Sequence, residues 1–67
     1  MMTLKEIRNR KKIGLTDASK KIGITKTYLY LIEEGQRTPS DKIKIKMSEV
    51  YGVSPTTIFL ATQLTKS

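Results

Sequence analysis

The stretch "IGITKTYLYLIEEG", Ile22–Gly35, governs how the rest of the chain is read. Gly23 suits the left-handed backbone position that ends a helix. Ile24 is an apolar residue, and Thr25 carries a hydroxyl able to cap a following helix. Tyr28 and Ile32 then stand at i, i+4, and Leu29 and Ile32 at i, i+3, which is helical spacing. Gly35 closes this segment as Gly23 closes the one before. Two helices joined by a three-residue turn are the outcome. The second is apolar nearly all the way round, so it is either sunk in a core or has an outer face with another use.

The same punctuation recurs along the chain. Gly52-Val53-Ser54 repeats the glycine, apolar, hydroxyl pattern. Pro39 and Pro55 follow the cap candidates Thr38 and Ser54, at the favoured first helical position. Thr3 and Glu6 fit a capping box. Five helices are predicted: Leu4 to Lys12, Gly14 or Leu15 to Ile22, the segment after Thr25 to near Glu34, Pro39 or Ser40 to Tyr51, and one from Pro55 that fades before Thr65-Lys66-Ser67. "KIKIKM", Lys42–Met47, alternates with period two as a strand would. Ile43, Met47, Val50 and Tyr51, at i, i+4, i+7 and i+8, favour a helix there instead. The fold class is an all-α, compact five-helix domain with a helix-turn-helix. Residues 1–67 make one domain, with 61–67 as a short tail.

Composition narrows the chemistry. The chain has 67 residues, no cysteine and no histidine, which excludes disulfides and thiolate or imidazole metal sites. No metal or other cofactor is expected. Its six carboxylates form no evident site with a base and a nucleophile, so an enzyme is not expected. Nor does any apolar run approach the roughly 18 residues of a membrane span. Without a secretion signal, a cytoplasmic, nucleoid-associated protein is the expectation. A net charge of +7 on so small a chain points to polyanions. Eight basic residues fall between Lys5 and Lys26, opposed there by Glu6 and Asp17 alone.

Laid end to end, these signals resemble the phage repressor/Cro (XRE-like) family of helix-turn-helix DNA-binding domains, whose fold is lambda-repressor-like. The matching residues, without a gap, are Leu4, Ile7-Arg8, Ile13, Ile22-Gly23-Ile24-Thr25, Ile32-Glu33-Glu34-Gly35, Pro39-Ser40 and Tyr51-Gly52-Val53-Ser54, with Ile58-Phe59 where the last helix packs. There are departures. Gly14 and Leu15 stand where the family often has threonine and a phosphate-touching glutamine, leaving the helix amides for that contact. Ala18-Ser19 replaces a bulkier pair. Lys44 occupies a position usually apolar, and Ile43 or Ile45 is expected to take its core role.

The resemblance implies a sequence-specific regulator, Cro-like or a small repressor, acting on double-stranded DNA as a homodimer on paired half-sites. It places the helix after the turn in the major groove. Base contacts then fall to Lys26, Thr27, Tyr28, Tyr30 and Leu31, residue types suited to guanine, to thymine methyls and to phosphate. Tyr28 also has a half-buried reading against helix two. Leu31 either touches thymine methyls or fills a gap in the core. Backbone contacts fall to Leu15, Thr16, Lys20, Gln36, Arg37, Thr38, Ser40 and Lys42. Arg8 and Glu33 are implied as a partly buried, structural ion pair. Phe59, Leu60 and Leu64 are the expected dimer surface, although one of Phe59 and Leu60 is also needed to close the core beside Ile58. No membrane contact and no small-molecule ligand are expected. The alternative is a helix-turn-helix antitoxin that binds a partner toxin and its own promoter.

Overall fold

A computed structural model of the protein describes residues 2–65; the Lys66-Ser67 end of the expected tail lies outside them. In chain order the helices are α1 (Leu4–Arg10), α2 (Leu15–Ile22), α3 (Lys26–Glu33), α4 (Asp41–Tyr51) and α5 (Pro55–Thr65). Each is too short to persist alone, so tertiary packing must hold it. α2 packs on α3 and α4, while α5 packs on α4 and α1.

Local capping chemistry sets most of the boundaries. Thr3 Oγ1 accepts from the Glu6 amide at 3.2 Å, and Glu6 Oε1 accepts from the Thr3 amide at 2.8 Å, a reciprocal box that opens α1. Those bonds hold the Glu6 carboxyl below its usual pKa. Thr25 Oγ1 accepts from the Tyr28 amide at 3.0 Å, and Ser54 Oγ from the Thr57 amide at 3.2 Å. At the other end of α3, the Gly35 amide donates to the Ile32 carbonyl and the Gln36 amide to that of Leu31. This paired closure needs the positive φ of Gly35, 80°.

Several boundaries differ from expectation. α1 ends at Arg10, not Lys12, because Lys12 turns left-handed at φ 57°. α4 is capped by Ser40, whose Oγ accepts from the Ile43 amide at 3.3 Å, and not by Thr38. Pro39 therefore precedes the cap, buried outside the helix, instead of occupying its first position. α5 continues through Thr65, into the stretch read as a tail.

The core gathers Leu4, Ile7, Ala18, Ile22, Leu29, Ile32, Met47, Tyr51, Ile58 and Ala61. Ile43 packs against it, whereas Ile45 is half exposed, so of the two only Ile43 takes the core role vacated by Lys44. Phe59 and Leu60 are both exposed and neither closes the core; Ala61 and Thr62 do so with Ile58. A threonine fits there because its Oγ1 donates to the Ile58 carbonyl at 2.9 Å, one turn back. Buried Ser19 and Ser48 are satisfied in the same way by Thr16 and Ile45 carbonyls.

Candidate nucleic-acid interface

α3 is held by one face. Leu29 and Ile32 are buried, and truncating either to alanine would cost about 2–5 kcal/mol. Each residue turns the helix by about 100°, so Thr27, Tyr30 and Leu31 lie opposite those anchors. Lys26 sits on one shoulder and Tyr28 on the other. Lys26 and Thr27 are exposed, and Tyr30 is 50% exposed. Tyr28 is partly buried and packs against the core. Leu31 is half-buried, neither exposed like Thr27 nor sunk like Leu29. The outward edge thus centres on Thr27 and Tyr30, with Lys26 beside them.

The far end of α3 is fixed by Arg8. Arg8 Nε donates to Glu33 Oε2 at 2.7 Å, and Nη2 donates to Glu33 Oε1 at 3.1 Å. The third nitrogen, Nη1, donates to the Ile13 carbonyl at 2.9 Å. Both side chains are more than nine-tenths buried. The fork geometry is the strong, directional form of an ion pair. The hydrogen bonds to Glu33 raise the Arg8 pKa further, against the opposing effect of burial. One guanidinium therefore ties together α1, the end of α3 and the turn before α2.

The residues expected to meet the DNA backbone lie on α2, in the loop after α3 and at the start of α4. Thr16, Lys20, Gln36, Arg37, Thr38, Ser40 and Lys42 are all exposed. The Leu15 side chain instead packs towards the core, so only its main-chain amide remains for a phosphate. Gly14 caps α2 without a side-chain bond, leaving the first-turn amides of α2 uncapped by any side chain. The Ser40 oxygen is engaged in its cap, yet its proton is available for donation.

On α5, Leu60 and Leu64 stand one turn apart and share a face, with exposures of 42% and 47%. Phe59 lies about 100° round the helix from Leu60. The Lys44 ammonium sits 5.0 Å from its ring centroid, a cation–π contact. Phe59 shares a groove with Ile45 and Pro55, whereas Leu60 shares another with Met2 and Arg10. The three exposed residues therefore form two surfaces and not one stripe. Sequence reasoning missed this division because α5 is apolar on nearly every side and gives no periodic signal.

Among the described residues, no cluster of Asp, Glu, Cys or His could hold a metal ion, and no helix is long and apolar enough to cross a membrane. What the site offers is a clamped helix edge carrying a cation and hydroxyls, flanked by basic and polar groups. That is the class of a helix-turn-helix nucleic-acid reader. A helix-turn-helix family model matches residues 4–58, and the chain belongs to that XRE-type family of DNA-binding regulators. The match ends at Ile58, short of Phe59, Leu60 and Leu64. No curated protein and no solved structure gives a match.

Proposed function

We propose that the protein is a sequence-specific transcriptional regulator of the small-repressor or Cro type, binding a paired half-site operator as a homodimer. The observation that carries this reading is the edge of α3. Thr27 and Tyr30 face away from buried Leu29 and Ile32, with Lys26 beside them, on a helix pinned at its far end by Arg8. In the major groove, Lys26 donates to guanine O6 and N7, and Thr27 and Tyr30 meet base edges or thymine methyls. Leu31 flanks them. Tyr28 is partly buried against the core, and its hydroxyl is the group it can offer to a base or a phosphate. Gln36, Arg37, Thr38, Ser40, Lys42, Thr16, Lys20 and the Leu15 amide hold phosphates on either side.

Leu60 and Leu64 form the centre of the proposed twofold contact, with Phe59 at its margin. The domain is 23 Å across between Cα extremes. Half-sites for such a dimer lie about 34 Å apart, one turn of duplex.

The test is binding to a duplex from the gene's own upstream region, beside a random duplex, as salt is raised. A specific regulator binds the first with a large excess over the second and with a steep salt slope. Lys26→Ala reduces that excess, whereas Lys42→Ala lowers the salt slope by about 1 for both duplexes. Equal affinity for the two duplexes refutes sequence-specific reading. No change with either substitution refutes the docking geometry.

A further inference from the structure

We propose that Lys12 is a phosphate-binding residue, extending the DNA contact of this domain from α3 onto the turn between α1 and α2. The inference rests on the DNA-binding reading above and adds a contact outside the helix-turn-helix itself.

Lys12 belongs to a basic run, Arg10-Lys11-Lys12, whose members diverge. Arg10 lines grooves with Met2, Glu6 and Asn9 and with Leu60 of α5. Lys11 folds back across the end of α4. Its Nζ and Cε lie 3.1 and 3.4 Å from the point where a Cβ on Gly52 would stand. Lys12 is exposed, and no ion pair or side-chain hydrogen bond engages it among the described residues.

Its backbone is the second observation. Four described residues have positive φ, and the other three are Gly23, Gly35 and Gly52. Lys12, at 57°, holds a conformation that glycine adopts without the Cβ penalty. A strained residue kept in place of the conformationally better one points to a use for its side chain.

The third is rigidity. The Lys12 amide donates to the Asn9 carbonyl at 2.9 Å. Its neighbour Ile13 accepts from Arg8 Nη1, on the same guanidinium that grips Glu33. The base of the Lys12 side chain is thereby held in register with α3. Its chain neighbours Gly14 to Thr16 open α2, beside the proposed phosphate contacts. An ammonium in that place meets backbone phosphate, which carries no base identity.

The experiment compares wild type with Lys12→Gly and Lys12→Gln on the upstream and random duplexes across a salt series, with melting temperature measured for each. Both variants lower the salt slope by about 0.9, the share of one lost phosphate contact, on both duplexes. The preference for the upstream duplex over the random one is unchanged. Lys12→Gly melts at or above the wild-type temperature, so its weaker binding is not a folding defect. Wild-type slopes in both variants overturn the proposal. So does a slope that falls in Lys12→Gly alone, since Lys12→Gln removes the same charge. Absence of upstream preference in the wild type refutes the specific reading instead, while the role of Lys12 is still read on the random duplex.

Discussion

Replacing Arg8 by alanine tests how α3 is held. The substitution removes three hydrogen bonds at once, two to Glu33 and one to the Ile13 carbonyl. The Glu33 side chain is only 3% exposed, so its carboxylate is left buried without a counter-charge. Breaking such a pair from one side costs about 3–5 kcal/mol. The orphaned Ile13 carbonyl adds about 1 kcal/mol. A domain of this size has roughly 3–10 kcal/mol in all, at about 0.05–0.15 kcal/mol per residue. Arg8→Ala therefore removes a large share of the stability or all of it. Urea denaturation read by circular dichroism measures the loss directly. For a domain of this length each kcal/mol lowers the melting temperature by about 4–8 °C, so a fall of at least about 12 °C is expected. The double variant Arg8→Met/Glu33→Met discriminates the cause. It removes both charges, keeps apolar volume and recovers most of the loss, because two desolvation costs vanish together. An Arg8→Ala protein within 1 kcal/mol of wild type refutes the reasoning. So does a double variant no more stable than the single one, which would trace the loss to packing instead of charge.

Other substitutions probe separate features. Ser40→Ala costs about 1 kcal/mol in urea denaturation while Thr38→Ala costs little, since Ser40 and not Thr38 caps α4. Gly23→Ala costs about 1–2 kcal/mol from its left-handed backbone alone, because an added Cβ meets no atom within 4 Å. Tyr51 is fully buried, and among the described residues its hydroxyl has no hydrogen-bond partner. At neutral pH Tyr51→Phe is thus as stable as wild type or more so. Burial, reinforced by Glu33 against an opposing effect of Arg8, pushes the Tyr51 pKa up to about 12 from 10.0. The raised value means the tyrosine's contribution is complete below pH 10 and is lost as pH rises through 12. Wild type then loses up to about 3 kcal/mol relative to Tyr51→Phe over that window, measured by chemical denaturation at each pH.

Much of this architecture is legible in the sequence because helix ends are local events. Thr3, Thr25, Ser54 and the glycines at 23, 35 and 52 each act within four residues, and their positions mark five helices. The packing choices are less legible because they depend on which neighbours arrive. Pro39 at a helix start and Pro39 before a Ser40 cap have the same composition. Ile43 and Ile45 are equivalent in type, but Ile43 alone shares the i, i+4, i+7, i+8 stripe with Met47, Val50 and Tyr51, so its inward turn is legible where the others are not. In α5 the apolar side chains outnumber the positions that the core can take, so Ala61 and Thr62 enter while Phe59 and Leu60 stay out. The α3 edge lies between these cases. Leu29 and Ile32 follow from spacing, and the opposite face follows from them. The partial burial of Leu31 does not, because it depends on which neighbours arrive.

The three-way grip of Arg8 also separates two kinds of change open to this chain. Neither Arg8 nor Glu33 tolerates an uncharged replacement alone, since each such intermediate strands a buried charge. The outward residues Thr27 and Tyr30 carry little of the fold, and Lys26 has no side-chain bond to lose among the described residues. Under the proposed docking, binding preference can therefore be rewritten at those three positions one substitution at a time, with the scaffold unaffected. A domain built in this way can acquire a new target sequence without passing through an unfolded ancestor.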